Sequence, residues 1–401
     1  MIIQLFNSSS VSGPEKLVLP AVANFCDDVA IVNLAEERIE RMRRADPIKD
    51  YSRSFNLPYH SVTVRSRWDR VAIGSLQRLL DQLHPDLVHV HSVKGATYLL
   101  RAIPAGQSHH YPILSTHHGV HGLPDLKTRL YEWFYRKRVL KSYDRVLCVS
   151  TADYEDVLRS GISWDRLRLH VNGKDGRRVA IADRPKEAQS VRAQWLPDEA
   201  RRDALFIFGV VGRLSQEKDH ARLLRVLSDL NRLPCERDWR CLIFGLGALE
   251  DKLRRQAREL DLAQRVVWMG YREDVGDEMA GLDLLLSFSK AEGLPINLIE
   301  AGWAGTPVMS TWVGGVRDLI PDDRYGVRVL PDEPSAETAH QLQALLAKKT
   351  DDQRKALGAR FQERVMNEFS QKTWIRRLEE IYAELNVRFK KTDKSQGSKC
   401  R

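Results

Sequence analysis

The stretch Gly209-Val-Val-Gly-Arg213-Leu-Ser-Gln-Glu217-Lys218-Asp219-His220 ends an apolar run, Leu205 to Val211, and turns through a polar loop into a helix that begins near Asp219. A short, continuously apolar run that delivers its carboxyl end into such a loop reads as a parallel strand buried on both faces. The same step recurs downstream at Cys241 to Phe244, Val266 to Met269, Leu284 to Phe288, Val308 to Thr311 and Val327 to Leu330, with helical stretches such as Ala248 to Leu260 between. Upstream, a first series runs Ile2 to Phe6, Val29 to Leu34, Leu87 to His91, Ile113 to Thr116, Val146 to Val149 and Leu167 to Val171. Strands alternating with helices make parallel α/β sheets, and each right-handed series builds its own sheet. The expected fold is therefore α/β: two doubly wound, Rossmann-like domains facing across a cleft, with ligand sites at the carboxyl ends of the strands.

Between Gly173 and Asp203 the series lapses into charged sequence with Pro and Ala and no clear strand. The expected boundaries are a first domain at 1–175, a connection at 176–203, a second domain at 204–370, an amphipathic helix at 371–389 and a disordered basic tail at 390–401. The helix rests on Trp374, Ile375, Leu378, Ile381, Tyr382 and Leu385 at helical spacing. A length of 401 residues suits two or three domains, and 43% hydrophobic residues are enough for packed cores. No apolar run approaches the ~18 to 20 residues that span a bilayer, and the N-terminus lacks the pattern of a signal peptide, so the expected location is the cytoplasm. The five cysteines, Cys26, Cys148, Cys235, Cys241 and Cys400, are scattered without CxxC spacing. Neither a disulfide framework nor a zinc site is indicated. Against 54 acidic residues stand 63 Lys and Arg, a formal charge of +9 that favours an anionic partner without naming it.

Three loops carry chemistry. Arg213 and Lys218 stand at a strand's carboxyl end beside the free amides of a helix start, an arrangement able to clamp a diphosphate. Gly245-Leu-Gly247-Ala-Leu-Glu250 is a glycine turn whose sixth residue is Glu, which departs from the nicotinamide fingerprint. In Glu292-Gly293-Leu294-Pro295-Ile296-Asn297-Leu-Ile-Glu300-Ala-Gly302, a strand reaches a loop and Pro295 opens a helix. Amides around Gly293 to Ile296 place positive dipole there. Glu300, among Leu298, Ile299, Ala301 and Trp303, is a carboxylate in apolar surroundings and needs a partner.

In order along the chain, Gly212-Arg213, Glu217-Lys218, the turn at Gly245 and Gly247, Gly270-Tyr271-Arg272, Glu292 and Glu300 in E-x7-E spacing, and Gly314-Gly315-Val-Arg-Asp318 resemble the nucleotide-sugar half of the retaining glycosyltransferases of family 4, which have the GT-B fold. The first half is similar at Asp86-Leu-Val-His89-Val-His91, Pro112-Ile-Leu-Ser-Thr116-His117-His118-Gly119, Val149-Ser150 and Asn172-Gly173-Lys174-Asp175. It departs at Ser12-Gly13-Pro14-Glu15, where the family often has paired glycines, and at Lys174, which replaces an apolar residue. The resemblance implies a first domain for the acceptor and a second for the donor. Arg213 and Lys218 would neutralise the donor diphosphate, with Gly13, Gly245, Gly293, Leu294, Pro295 and Ile296 approaching the donor. Glu292 would contact the transferred sugar, Glu300 the ribose hydroxyls, and Tyr271 and Arg272 would flank the base. His118, with His91 beside it, would stand on the acceptor side.

The activity implied is transfer of a sugar, with retention, from a UDP- or GDP-linked donor to an acceptor hydroxyl, in polysaccharide, glycolipid or glycoconjugate synthesis of bacterial type. No cofactor is implied, the nucleotide sugar being a co-substrate, and a lipid-linked saccharide is one candidate acceptor. No Asp-x-Asp pair occurs in the chain, and Arg213 with Lys218 supplies the countercharge a divalent metal would otherwise provide, so metal independence is expected. A nucleotide-sugar epimerase on the same fold is the nearest alternative. A basic nucleic-acid-binding protein is the alternative from another class, though no RNP-like or helix-turn-helix signature supports it. Lys127 to Lys141 combines Trp133, Phe134 and Tyr135 with Arg136, Lys137 and Arg138. It reads either as a helix docking on the anionic inner face of the plasma membrane or as a domain helix with Leu130, Trp133 and Phe134 in the core. Acceptor choice is expected in first-half loops such as Ala45 to Ser66.

Overall fold

The structure is a computed structural model that describes residues 1–11, 13–25, 28–37, 46–66, 68–103, 110–118, 133–197, 204–273 and 275–385. The described chain divides into two units, one formed by residues up to Val171 together with Trp374 onward, the other by Asn172–Thr373.

The first unit holds a parallel sheet of seven strands, β1 (Ile2–Phe6), β2 (Val29–Glu36), β3 (Tyr59–Val64), β4 (Leu87–Val90), β5 (Ile113–His117), β6 (Arg145–Cys148) and β7 (Leu167–Leu169). Their order is β3-β2-β1-β4-β5-β6-β7, so the strand order reverses between β1 and β4. The strands β1, β4 and β5 are buried at every residue, as strands covered on both faces must be. One face packs Leu76, Leu80, Tyr98, Leu99 and Tyr143. The other packs Leu17, Val18 and Val22 of the Gly13–Val22 helix together with Trp374, Leu378, Ile381 and Tyr382 of the Gln371–Ala383 helix.

The second unit holds a parallel sheet of six, β8 (Phe206–Val211), β9 (Trp239–Phe244), β10 (Val266–Gly270), β11 (Leu284–Ser287), β12 (Val308–Thr311) and β13 (Val327–Val329). The order is β10-β9-β8-β11-β12-β13, with its reversal between β8 and β11. Its core joins Phe206, Phe208 and Ile243 of the sheet to Leu223, Leu227 and Leu342 of the helices.

Four sequence expectations need correction. The segment expected as an interdomain connection belongs to the second unit: the Arg184–Trp195 helix seats there through Arg192, 2.7 Å from Asp283, and Trp195, whose Nε1 donates to Glu278 at 2.8 Å. Its buried residues, Val191, Arg192 and Trp195, cover barely one turn, too short a stripe for a hydrophobicity reading to find. The boundary falls at Val171 and not at Asp175, since the Asn172 side chain donates to the Leu294 carbonyl and Asp175 accepts from the Gln371 amide. Residues 46–66, expected as loops for the acceptor, contain the Pro47–Arg53 helix and the edge strand β3, whose half-exposed Tyr-His-Ser-Val-Thr-Val alternation replaces a continuous apolar run. Within Lys127 to Lys141, residues 127–132 lie outside those described. Of the rest, Tyr135, Val139 and Leu140 are buried, whereas Trp133 (55%) and Phe134 (38%) are exposed, so the reading that put Trp133 and Phe134 in the core is wrong. The expected tail at 390–401 also lies outside the described residues.

Candidate active site

In the second unit the predicted donor residues gather at the carboxyl edge of the sheet. The chain leaves β8 through Gly212 and Arg213 and makes a single 3-10 turn, Gln216–Lys218, before Asp219 caps the next helix. That turn carries Lys218 back across the strand end, where its Nζ lies 2.5 Å from Glu292 Oε1. Glu292 follows β11, is buried, and accepts a second hydrogen bond from Ser289 Oγ at 2.6 Å. Ser289 is in turn fixed by Thr311, whose hydroxyl donates to its carbonyl. The carboxylate is thus held by a cation and a hydroxyl on a loop that crosses another loop without clearance. Gly314 has φ +48°, and a Cβ there would stand 1.9 Å from the Glu292 carbonyl oxygen. Arg213, by contrast, projects into solvent with 80% of its side chain exposed and, among the described residues, only Glu217 as an ionic partner at 3.2 Å.

The flanking positions divide. Gly245 allows the β9 loop to touch the β8 loop, since a Cβ there would meet Gly212 O at 1.9 Å. Tyr271, after β10, is 62% exposed and offers an open ring, whereas Arg272 is tied to Glu278 at 3.2 Å. Pro295 stands one residue earlier than expected, as the N-cap of the Ile296–Trp303 helix and not within it, with extended backbone at ψ 116°. Asn297, in the first turn of that helix, donates to the Val211 carbonyl at 2.8 Å and ties the turn to β8. Glu300 has the partner its surroundings demanded, and that partner is Lys174, the residue that departs from the family pattern. Ser289, Asn297 and Lys174 were missed. Ser289 sits in the quoted motif's own loop and could have been found there, but the other two pair over 86 and 126 residues with no local signal.

In the first unit, His91 and His118 follow β4 and β5 and come together with ring centroids 5.9 Å apart. The His91 ring stacks on Phe6 at 4.7 Å, and its Nε2 lies 2.7 Å from Gln4 Oε1. The other ring nitrogen, Nδ1, has no hydrogen-bond partner among the described residues, and neither does His118 Nε2. Burial, reinforced by the charge His170 would carry, pushes His118 down to about 4, and burial likewise holds His91 well below the usual imidazole range. Both are neutral at pH 7 and present nitrogen atoms without partners. Behind them, Tyr382 links the cluster: its hydroxyl accepts from Gln4 Nε2 at 3.1 Å and lies 2.7 Å from His89 Nδ1. Gly13 opens the Gly13–Val22 helix after β1 with nothing within 4 Å of a Cβ there, but Glu15, buried in the same first turn, already sets a carboxylate against that helix start.

A cavity of about 630 Å3 opens beside the β1/β4 reversal, lined among others by Asn7, Glu36, Arg65, Trp68, Ser92 and Lys94. Lys94 pairs with Glu36 at 2.9 Å, and the half-exposed Trp68 ring is braced by the Arg101 guanidinium at 4.1 Å. The reversal point of a doubly wound sheet is where ligands bind. Trp68 lies just beyond the loop stretch singled out from sequence.

Comparison with known proteins identifies the family. Residues 28–177 match the family described as Glycosyltransferase Family 4, and residues 191–364 match Glycosyl transferases group 1. The lipopolysaccharide 1,6-galactosyltransferase of Salmonella typhimurium is 30% identical over 46% of this chain, which spans half of that relative's length. A UDP-Gal:alpha-D-GlcNAc-diphosphoundecaprenol alpha-1,3-galactosyltransferase of Escherichia coli is 25% identical over 71% of this chain and 73% of its own. Among solved structures, Anabaena HepE in complex with UDP and glucose superposes with a TM-score of 0.74 at 19% identity, covering 96% of this chain and 100% of that one. With its two halves matched in order by glycosyltransferase families and its fold shared with a solved structure over 96% of its length, the chain belongs to the family 4 glycosyltransferases of GT-B fold.

Proposed function

We propose that this protein transfers a sugar from a nucleoside-diphosphate sugar to an acceptor hydroxyl with retention of anomeric configuration. The observation that carries the reading is the Lys218–Glu292 pair at 2.5 Å on the carboxyl edge of the second sheet. Each group neutralises the other until a donor binds. A bound donor replaces both halves of that pair, its diphosphate taking Lys218 and a sugar hydroxyl donating to Glu292, so both charges are positioned before the donor arrives. Arg213 supplies further positive charge from solvent, Tyr271 packs on the base, and Glu300 accepts from the ribose hydroxyls. The acceptor oxygen attacks the anomeric carbon on the face from which the diphosphate leaves, and its proton passes to the departing phosphate. No enzyme nucleophile is required, and the countercharge from Arg213 and Lys218 makes a divalent metal unnecessary. His118 is assigned the acceptor side, where a neutral imidazole bonds a hydroxyl without adding charge.

A uridine donor is favoured by the UDP complex of the Anabaena relative, and a lipid-linked acceptor by the diphosphoundecaprenol named for the Escherichia coli relative. GDP-linked sugars remain in the panel because a Mycobacterium tuberculosis relative, 29% identical over 60% of this chain, is named a GDP-mannose-dependent alpha-mannosyltransferase. The decisive experiment is transfer from a panel of nucleotide sugars to lipid-linked and soluble saccharides, in buffer with chelator. Glu292→Gln and Lys218→Ala are expected to remain folded and to lose on the order of 100-fold in turnover. Near-normal turnover in either variant, or activity lost to chelator and restored by magnesium, would refute the clamp. Interconversion of the free donor without transfer would make the protein an epimerase.

For a lipid-linked acceptor the chain must reach a membrane, and among the described residues no helix is long and apolar enough to cross one. We assign the contact to exposed Trp133 and Phe134 beside Arg136, Lys137, Arg138 and Lys141, aromatics for the interface and cations for anionic headgroups. Sedimentation should show binding to anionic vesicles at low salt that is lost when Arg136, Lys137 and Arg138 are all replaced by Ser. Equal binding to neutral vesicles would end this assignment.

A further inference from the structure

At the edge of the second sheet opposite the donor residues lies a cavity of about 340 Å3, where the chain enters β9, β11 and β12. Trp239–Phe244, the six residues of β9, separate the two edges by roughly 20 Å of extended chain. Five cations line the cavity, Arg184, Arg192, Arg237, Arg354 and Lys355, against two carboxylates, Asp283 and Asp351. Each carboxylate already holds an arginine of the cavity wall. Asp283 takes Arg192 at 2.7 Å and the Ile207 amide at 2.7 Å, while Asp351 takes Arg237 at 2.5 Å and also Arg354.

Arg184 is left over. One of its terminal nitrogens donates to the Leu282 carbonyl and, at 3.4 Å, to Thr306 Oγ1, both neutral groups. Its Nε–H is enclosed and meets no acceptor among the described residues. Burial, with the like charges of Arg192 and Arg354 adding to it and Asp283 opposing, pushes this guanidinium down to about 10. Enclosing a cation among other cations is unfavourable unless something else supplies the countercharge. A planar guanidinium with free donors is suited to phosphate oxygens, and the volume lies at the small end of ligand sites.

We propose that this cavity binds a phosphate-bearing anion, with Arg184 as its central ligand and Lys355 at its rim. Arg192, Arg237 and Arg354, already held by their carboxylates, provide a fixed positive wall that does not reorganise on binding. The site is separate from the donor edge and does not depend on the transfer reaction.

The test uses the full chain carrying Arg213→Ala and Lys218→Ala, which weakens phosphate binding at the donor edge. Inorganic pyrophosphate about tenfold above its dissociation constant should raise Tm by about 3–5 °C. Adding Arg184→Met should abolish the shift. Lys355→Glu changes a solvent-exposed rim residue that holds no core contact, and should weaken the apparent affinity about tenfold even if Arg184→Met fails to fold. The proposal is overturned if pyrophosphate gives no shift in the Arg213/Lys218 background, if the shift survives Lys355→Glu unchanged, or if potassium chloride at matched ionic strength reproduces it.

Discussion

Lys174 and Glu300 meet across 126 residues of chain, and with Glu300 in its proposed role at the donor ribose the pair would couple donor binding to stability. Glu300 keeps only 15% of its side chain exposed, so removing its cation leaves a largely buried acceptor without its charge partner. Lys174→Val should therefore cost about 1–3 kcal/mol in the ligand-free protein. A nucleotide sugar whose ribose hydroxyls donate to Glu300 restores part of that loss. The variant should accordingly show a larger ligand-induced rise in Tm than the wild-type chain, read by thermal scans with and without donor. An unchanged rise would remove Glu300 from ribose binding. At this scale the sequence was legible where partners share a loop motif: Lys218 and Glu292 each end a strand in a recognisable turn. It was silent on the partner of Lys174, because the carboxylate that residue serves lies in the other half of the motif set.

The Gln371–Ala383 helix shows the same contrast between elements. Its apolar spacing was plain, but nothing in that spacing said which sheet it would cover, and Tyr382 read as one more apolar position. In the structure Tyr382 is fully buried in the first unit, with its hydroxyl between Gln4 and His89, and His89 Nε2 continues to Thr116 Oγ1 at 2.6 Å. Tyr382→Phe removes one oxygen and leaves two buried side chains short of a partner, a loss of about 1–3 kcal/mol, measurable as a lower urea midpoint with unchanged m-value. A midpoint equal to that of the wild type would mean the network contributes nothing to holding the helix. The strand β3 was missed for the opposite reason, since an edge strand may not be apolar throughout and its Tyr59–Val64 alternation resembles a polar loop.

Across the whole molecule, buried histidines make stability depend on acid. Burial pushes His118, His170 and His220 down to about 4, and holds His89 and His91 lower than their usual range. Between roughly pH 6.5 and 4 the unfolded chain takes up protons at these positions and the folded chain does not, so stability is fully present above 6.5 and falls as the pH drops toward 4. Each group contributes on the order of 1–3 kcal/mol over that window. Tm should fall steadily from pH 7 to pH 4.5, and His170→Gln should shallow the slope. A Tm flat between pH 7 and 5 would contradict the burial of these imidazoles. The two-sheet architecture was legible in advance because strands covered on both faces announce themselves by composition, whereas the seating of Arg184–Trp195 rests on Val191, Arg192 and Trp195, too few residues to show a period.

The first unit takes its opening strand from residues 2–6 and one of its covering helices from residues 371–383, joined by a hydrogen bond from Gln4 to Tyr382. During synthesis the amino-terminal sheet therefore emerges with Leu114, Leu147 and Ile31 on a face whose last cover has not yet been made. Domains generally fold as units while the ribosome is still working, amino-terminal first. Here that order is interrupted. The second unit, contiguous from Asn172 to Thr373, can close before the residues after it have emerged, and the first reaches its final packing only once residues 374–383 have been made.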